Sequence, residues 1–379
     1  MNILHIGLLS HFTEGMLYQD NILSDMNVKD GHSVTFISDT FCYENGEIIE
    51  TPEEDRILQN GVRLIRLKYD RILTNFITDK IQKVKKLLPL IEELQPDTIL
   101  YHGVCGYELM DVSNYVKQHL NVLFYVDSHE DFHNTARTPL AKFCYKYIHG
   151  IFIKKALSSF NKVFYLTLET KEYLQRMYSL KEEIMEYYPL GGIMISEQDQ
   201  ISSRQYIIDT FKLREDAIIC AHSGKMVKEK RTEELLQAFE SVKDDRLQML
   251  IFGSIPKDQL STLMPLIERN DRVHFLGWKN NKDITDILSG TDIYCQPGTQ
   301  SATFQVSLCC GCVAMVYPYM SHKYLMEENC IYVTGKEDMV KVFEAILTDE
   351  TLLVKMKEKS YIIAEEKLNY VKLARRICK

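Results

Sequence analysis

The sequence has little of several features that would mark a particular class of protein. It contains one tryptophan among 379 residues, and no apolar run approaches the ~18–20 residues that span a bilayer. Its first residues lack the basic start and small-residue cleavage site of a signal peptide. The 45 basic residues are outnumbered by 53 acidic ones, so a nucleic-acid partner bound through a generally basic surface is disfavoured. We therefore expect a cytoplasmic globular protein with no nucleic-acid partner.

The ten cysteines are not spaced as a disulfide framework. Cys309, Cys310 and Cys312 crowd together, and no second ligand pair at zinc-like spacing accompanies them. Half a zinc site is the alternative to small residues in a tightly packed turn. We expect free thiols in a reducing compartment, with no metal and no cofactor.

Short apolar segments alternate with helix-length segments along the whole chain. Strands separated by helices predict parallel βαβ units and an α/β fold. Tyr188-Pro189-Leu190-Gly191-Gly192 interrupts the pattern near its middle. We therefore predict two Rossmann-like domains, residues 1–190 and 191–360, that face each other across a cleft. Ligands in such sheets bind beyond the carboxyl ends of the strands.

Six candidate strands lie in each half. They are Ile3–Leu8, Ser33–Ile37, Val62–Leu67, Thr98–Tyr101, Val122–Val126 and Lys162–Leu166, then Ala217–Ser223, Leu247–Phe252, Val273–Phe275, Ile293–Cys295, Val313–Val316 and Ile331–Val333.

The second half opens with a strand followed by a glycine and two lysines. Gly224 would let the backbone approach a ligand closely, and Lys225 and Lys230 are spaced so that both could reach a diphosphate. The alternative is a solvated basic loop, and we assign Lys228 to that role.

This segment resembles the glycine–basic–x–x–x–x–lysine segment of retaining GT-B glycosyltransferases, glycosyltransferase family 4 in particular. The resemblance continues in order through Leu250–Ser254, Val273–Trp278, Ile284–Asp292, Gln296–Thr303 and Cys309–Val313. It implies the GT-B fold and transfer of a sugar from a nucleotide-sugar with retention of the anomeric configuration. It also implies that Lys225 and Lys230 neutralise the donor diphosphate, and that a C-terminal helix, residues 361–379, crosses back to the first domain.

The family's pair of glutamates is absent. Counted back from Gly311, their positions fall at Gly298 and Val306, and a shift of one residue would give Gln305 the ribose-binding role. Residues 298–303 are expected to form a loop and helix start whose N–H groups favour the diphosphate. An ordinary helix start in a degenerate enzyme is the alternative. The donor-binding candidates are Gly224, Lys225, Lys230, Gly298, Thr299, Gln300, Ser301, Ala302, Thr303 and Gln305.

In the first half, titratable residues follow a buried strand at positions 127–131. Chemistry in α/β proteins is commonly found at such positions. Similar enzymes place a histidine here near the transferred sugar, so His129 and Asp127 are the candidate catalytic residues. A hydrated loop that caps the next helix and a metal site from Asp127, His129 and Asp131 are the alternatives. Glu14 and Gly15 lie where similar enzymes have an acceptor-side loop.

The segment from Leu140 to Phe160 interleaves lysines with aromatic and aliphatic residues, which is typical of a helix at a membrane surface. A second basic helix is predicted over Asp79–Leu94. The alternative is a core-facing helix with its lysines in water. The candidate membrane-surface residues are Lys142, Lys146, Lys154 and Lys155.

Together these features favour a metal-independent glycosyltransferase of bacterial cell-surface polysaccharide or glycolipid synthesis. Its expected partners are a nucleotide-sugar donor, a lipid-linked saccharide and the anionic inner face of the membrane. A catalytically silent GT-B relative with a binding or scaffold role and a nucleotide-sugar epimerase are the alternatives. A Rossmann oxidoreductase is disfavoured because neither half has a glycine–x–glycine–x–x–glycine turn.

Overall fold

The structure, a computed structural model, describes residues 1–16, 18–44, 47–72, 78 and 81–379. The chain divides into two compact units. Unit 1 comprises Met1–Pro189 and Tyr370–Lys379, and unit 2 comprises Leu190–Asn369. Within the described ranges, no helix has the length and apolar character needed to cross a membrane.

Unit 1 is built on an eight-stranded sheet with the order β10-β9-β8-β7-β1-β2-β6-β5. All neighbours are parallel except β5, which runs antiparallel to β6 at the edge, and β3 and β4 form a separate antiparallel hairpin. The strands are β1 (Asn2–Gly7), β2 (Ser33–Asp39), β3 (Phe41–Glu44), β4 (Glu47–Glu50), β5 (Glu54–Ile57), β6 (Arg63–Leu67), β7 (Thr98–His102), β8 (Leu123–Ser128), β9 (Lys162–Tyr165) and β10 (Met185–Tyr187).

The helices of unit 1 connect these strands. They are α1 (Gln19–Lys29), α2 (Leu87–Leu94), α3 (Leu109–Gln118), α4 (Pro139–Cys144), α5 (Gly150–Ala156), α6 (Leu168–Tyr178) and, from the C-terminal segment, α14 (Tyr370–Ala374). A π-helical segment, Tyr145–His149, joins α4 to α5, and 3-10 turns lie at Leu157–Ser159, Glu182–Ile184 and Arg375–Cys378.

Unit 2 has a six-stranded, wholly parallel sheet with the order β13-β12-β11-β14-β15-β16. Its strands are β11 (Ile218–Lys225), β12 (Leu247–Ser254), β13 (Val273–Phe275), β14 (Ile293–Gln296), β15 (Val313–Val316) and β16 (Cys330–Tyr332). Within the unit this order reads third, second, first, fourth, fifth, sixth, which is the Rossmann arrangement. Such sheets bind ligands where the order reverses, here between β11 and β14.

The helices of unit 2 are α7 (Glu197–Phe211), α8 (Thr232–Ser241), α9 (Lys257–Glu268), α10 (Asn281–Ser289), α11 (Thr303–Cys309), α12 (Lys336–Thr348) and α13 (Glu350–Lys367), with 3-10 turns at Lys228–Lys230 and Met320–His322. Strands such as β12 are buried over most of their length, because helices cover both faces of a parallel sheet.

All twelve predicted strands are present, and the α/β architecture of two parallel sheets is confirmed. The hairpin β3–β4 and the short edge strands β5 and β10 were not predicted. Their residues are largely partly buried or exposed, so the apolar run that marks a central strand is missing.

Three predicted helices differ from the structure. The second basic helix begins at Leu87, so Lys83, Lys85 and Lys86 precede it, while Asp79 and Lys80 lie outside the described residues. The helix over Leu140–Ser158 contains the π-helical segment. The C-terminal helix is not continuous over 361–379: α13 ends at Lys367 within unit 2, and unit 1 takes only Tyr370–Lys379.

Candidate active site

Two loops leave the sheet of unit 2 at the point where its strand order reverses. One follows β11 and the other follows β14, and they touch through backbone atoms. The Thr299 N–H donates to the Glu229 carbonyl at 3.1 Å, and a Cβ on Gly298 would lie 2.1 Å from that same oxygen. Only glycine fits at position 298, so the family glutamate could not occupy this position in this conformation.

Gly224 is the next-to-last residue of β11, and its φ is positive at 115°, a backbone conformation that favours glycine. A Cβ there would lie 3.2 Å from Cε of Lys230. The glycine therefore leaves room for the lysine side chain, which folds back over the end of β11.

Lys230 is the most unusual residue at this edge. Its side chain is buried, with 6 % of the residue exposed, and its Nζ donates to the Thr299 carbonyl at 3.3 Å. In the part of the chain that the structure describes, it has no carboxylate partner. Burial lowers the pKa of Lys230 from 10.5 to about 8. A buried ammonium that faces only a carbonyl lacks charge compensation, and an anion could supply it.

Lys225 and Lys228 are both exposed on the same loop. Lys225 directly follows Gly224 at the end of β11, so the structure brings it to the same strand end as Lys230. Exposure leaves Lys225 able to approach a ligand.

The loop after β14 carries the remaining donor-binding candidates. Ser301 and Thr303 share a hydroxyl hydrogen bond of 3.1 Å, Gln300 accepts from the Ser321 hydroxyl at 2.8 Å, and Ala302 is exposed. The N–H groups of Phe304 and Gln305 donate to carbonyls within the loop. The helix that follows, α11, has seven residues. A helix this short would stabilise a diphosphate at its N-terminus less than predicted. Lys225 and Lys230 are therefore the stronger candidates for neutralising such a ligand.

Three buried polar atoms near α11 have no hydrogen-bond partner among the residues that the structure describes: Gln305 Oε1, Gln296 Nε2 and His322 Nδ1. The His322 ring packs on Phe304, with centroids 4.4 Å apart, and burial lowers the pKa of His322 to about 4. Buried polar groups are normally paired. Gln296 and His322 were not predicted as site residues. Gln296 only begins the run Gln296–Thr303 that resembles the family, and His322 lies outside every segment that does.

In unit 1, His129 and Asp127 are positioned differently from each other. His129 lies just beyond β8 and its side chain is 47 % exposed, while Asp127 is fully buried. One Asp127 oxygen accepts from the Gly103 N–H at 2.9 Å and the other contacts His102 Nδ1 at 2.7 Å. The Nε2 atom of His129 lies 3.9 Å from Oδ1 of Asp127.

Burial alone would raise the pKa of Asp127, but the charge and hydrogen bond of His102 outweigh it and the pKa is lowered. Asp127 is thus a carboxylate engaged by protein groups. The prediction that it is catalytic needs correction, because it has no exposed surface through which to touch a substrate, whereas His129 has.

The other acids of this turn have separate roles. Asp131 accepts from the N–H groups of His133 and Asn134 and so caps the turn, as the hydrated-loop alternative expected. Glu130 accepts from the Ser128 hydroxyl at 3.1 Å, and burial raises its pKa to about 7. The cluster of possible metal ligands among the described residues is Asp20, His102 and Asp127, and not the alternative set of Asp127, His129 and Asp131.

The loop after β1, for which an acceptor-side role is predicted, forms an ion pair with β5. Glu14 pairs with Arg56 at 2.7 Å, both side chains being exposed, and Gly15 has a positive φ of 80°. This loop lies where β1 meets β7, the reversal point of the unit 1 sheet.

The segment α4 to α5 has an exposed apolar stripe. Leu140, Phe143, Tyr147 and Ile151 are 74 %, 57 %, 53 % and 52 % exposed, whereas Ile153 is buried. The alternative in which these aromatics are all core is therefore wrong. The four candidate lysines, Lys142, Lys146, Lys154 and Lys155, are exposed on the same segment.

Comparisons with known proteins agree with this architecture. Residues 203–362 match the family described as glycosyl transferases group 1. No curated protein matches the chain.

Among solved structures, sucrose-phosphate synthase from Thermosynechococcus elongatus is similar with a TM-score of 0.65 and 14 % identity, covering 100 % of this chain and 97 % of that one. HepE from Anabaena, in complex with UDP, has a TM-score of 0.65, 13 % identity and coverages of 100 % and 98 %. WaaG, a glycosyltransferase involved in lipopolysaccharide biosynthesis, has a TM-score of 0.62, 15 % identity and 99 % coverage of both chains. This chain therefore has the GT-B fold, and its residues 203–362 match the family of glycosyl transferases group 1.

Proposed function

We propose that this protein is a retaining glycosyltransferase that moves a sugar from a nucleotide-sugar to an acceptor. The observation that carries the proposal is the buried, uncompensated ammonium of Lys230 at the reversal point of the unit 2 sheet. An anionic ligand at Nζ would supply the missing counter-charge. A nucleoside diphosphate has that charge, and the similar HepE structure contains UDP.

The lysines would act on the leaving group. When the bond between the anomeric carbon and the diphosphate oxygen breaks, negative charge grows on the diphosphate, and fixed cations stabilise it more than they stabilise the substrate. The acceptor oxygen then bonds to the same face of the anomeric carbon, and its proton passes to the leaving phosphate. NMR of the product linkage compared with the donor tests retention, and an inverted product would contradict it.

Because two lysines supply the charge, we propose that no divalent metal is needed. Turnover should persist in EDTA, and complete loss restored by magnesium or manganese would contradict this. His129, exposed beyond β8, is proposed to contact the transferred sugar. Gln305, with its unpartnered buried oxygen, is proposed to hold the ribose in place of the absent glutamate.

A thermal-shift panel of nucleoside diphosphates and nucleotide-sugars tests the donor site, because a ligand that binds the native state raises the melting temperature. We expect a shift with wild type and with Lys228→Ala, and its loss in Lys225→Ala and Lys230→Ala. Lys228 is the matched control because it is a lysine of the same loop. No shift with any nucleotide in wild type would overturn the proposal.

The same panel and a turnover assay separate the alternatives. A catalytically silent relative would bind nucleotide without releasing sugar, which the absent glutamate pair allows. A nucleotide-sugar epimerase would convert the donor with no acceptor present.

We further propose that the acceptor is a lipid-linked saccharide of bacterial polysaccharide or glycolipid synthesis, and that unit 1 contacts the inner face of the membrane. The segment from residue 139 to 159 supports this, because it has four exposed lysines, an exposed apolar stripe and no acidic residue. WaaG, similar in fold, is a glycosyltransferase of lipopolysaccharide biosynthesis.

A further inference from the structure

A chain of buried polar side chains runs through unit 1 from the C-terminal segment to the end of β8. Asp127 Oδ2 lies 2.7 Å from His102 Nδ1, and His102 Nε2 lies 3.1 Å from His5 Nδ1. His5 Nε2 lies 3.1 Å from Asn27 Oδ1, and Asn27 Nδ2 donates to the Ala374 carbonyl at 3.0 Å. Every side chain in this chain is buried.

The proton positions follow from the Ala374 carbonyl, which can only accept. Asn27 must present its N–H₂ to that carbonyl, so its oxygen faces His5 and accepts from His5 Nε2–H. A neutral His5 then accepts at Nδ1, which requires an N–H on His102 Nε2. At the other end, the Asp127 carboxylate requires an N–H on His102 Nδ1. With His5 neutral, both nitrogens of His102 therefore carry protons. A charged His5 beside a neutral His102 would make the same hydrogen bonds, but it would place the charge on the ring that contacts Asn27 and not on the ring that contacts Asp20 and Asp127.

The surroundings of His102 agree with a cation. Asp20 of α1 adds a second carboxylate 3.4 Å from Nδ1. Burial opposes charge on His102, but Asp20 and Asp127 raise its pKa to about 9. Burial and the His102 charge lower the pKa of His5 to about 3, so His5 stays neutral.

We propose that His102 is a buried imidazolium and a positioning residue, which holds the Asp127 carboxylate and the turn carrying His129 in register with the seated C-terminal segment. The catalytic consequence rests on the proposed function, in which His129 contacts the sugar. The hydrogen-bonded series of side chains does not depend on the proposed function. It joins residues that are 25, 97, 22 and 347 positions apart in the sequence.

A metal ion is the competing explanation, since Asp20, His102 and Asp127 each offer a ligand atom within 4.8 Å of the others. A metal on Nδ1 would displace its proton. The hydrogen-bonded chain instead needs that proton, and the 2.7 Å approach of Nδ1 to Oδ2 is that of a charge-assisted hydrogen bond.

The protonation is tested on the intact wild-type protein by NMR of ¹⁵N-labelled histidine side chains. At neutral pH we expect one histidine with both ring nitrogens protonated, whose signals are absent in His102→Gln, and a neutral His5. Added zinc should leave these signals unchanged. A neutral His102, or its conversion to a metal-bound form by zinc, would overturn the assignment even if no variant folds.

The positioning role is tested by hydrogen exchange over residues 128–135, a readout that needs no activity. Exchange there should rise at least about tenfold in His102→Gln and in Asn27→Leu, because each breaks the chain at a different link. Ser159→Ala is the matched control. It removes a buried hydroxyl of unit 1 that donates a hydrogen bond to Ser113 and takes no part in the series from Asp127 to Ala374. Unchanged exchange in both test variants would overturn the role.

In the same variants, nucleoside diphosphate release should slow at least about tenfold, with the donor KM unchanged because unit 2 is intact. If wild type has no turnover, the proposed function fails while the NMR and exchange results still decide the role of His102.

Discussion

Lys230 places function and stability in opposition within a single side chain. A charged amine that is 6 % exposed without a carboxylate partner among the described residues destabilises the folded protein, although the proposed function requires this charge for the diphosphate. The lowering of its pKa from 10.5 to about 8 corresponds to at most about 3 kcal/mol of unfavourable free energy.

We predict that Lys230→Met raises the free energy of unfolding by about 1–3 kcal/mol while it abolishes the nucleotide-induced thermal shift. Below pH 8 the lysine is charged in both the folded and the unfolded chain, so the gain is fully present there. As pH rises from 8 toward 10.5, the folded protein sheds the proton first and the gain disappears. Denaturant unfolding across this range measures it, and a destabilised variant at neutral pH would contradict the account.

At the residue scale, spacing along the chain predicted what lies within one loop. Lys225 and Lys230 are separated by five positions, so a pattern could find them. His102, His5 and Asn27 could not be found in this way, because they are far apart in the sequence. His5 and His102 meet through the order of strands in the sheet, and Asn27 meets His5 through the packing of α1 on that sheet. The prediction that Asp127 is catalytic could not take account of its burial, because the sequence does not reveal that its two oxygens contact His102 and Gly103.

At the scale of elements, the segment from α4 to α5 turns its apolar stripe to solvent. Its π-helical turn, Tyr145–His149, stacks Tyr145 on His149 with ring centroids 5.0 Å apart and lets His149 bond the Cys105 carbonyl. The sequence predicted a basic, aromatic helix here but could not tell which side chains face the core.

We predict that the protein binds anionic vesicles through this segment, since each lysine near such a surface contributes about 1 kcal/mol. Binding should fall with salt. It should also fall when Lys146, Lys154 and Lys155 become glutamate. Liposome co-sedimentation measures it.

The matched control for charge changes Lys212, Lys243 and Lys341 to glutamate, three exposed lysines of unit 2. This variant should pellet like wild type. An equal loss of vesicle binding in the two triple variants would show that binding depends on net charge and not on the segment from α4 to α5. Absence of binding at low salt would favour a soluble acceptor.

The C-terminal segment is an element of the unit 1 core. Tyr370, Leu373, Ala374 and Ile377 are buried, and the Leu373 carbonyl accepts from the Tyr188 hydroxyl at 2.9 Å.

We predict that Ile377→Ala lowers the free energy of unfolding of unit 1 by about 2–5 kcal/mol. Val371→Ala, at a position 37 % exposed, is the control and should change it by less than about 1 kcal/mol. Similar values for the two variants, measured by denaturant unfolding, would show that the segment is not seated as described.

At the scale of the whole molecule, the alternation of strands and helices was sufficient to predict two parallel α/β sheets. Most of the twelve predicted strands have a short apolar, buried run, as in β7 and β15, and this is a strong local signal. Strand order within each sheet is a tertiary property. The sequence therefore predicted which loops follow strands, but the reversal points between β11 and β14 and between β1 and β7 came from the structure.

The family match covers residues 203–362, and the predicted donor-binding residues all lie there. Unit 1 has the more individual features: a hairpin, a π-helical turn and the buried histidine pair.

The most direct test of the central claim is the rate of nucleoside diphosphate release from the nucleotide-sugar that gives the largest thermal shift, measured in wild type and in the lysine variants. Loss of one transition-state cation should slow release by on the order of 10²–10³ in Lys225→Ala and in Lys230→Ala. Lys228→Ala should retain nearly the wild-type rate, since it is exposed on the same loop without a proposed role. Near-normal rates in both Lys225→Ala and Lys230→Ala would contradict the assignment of the donor site.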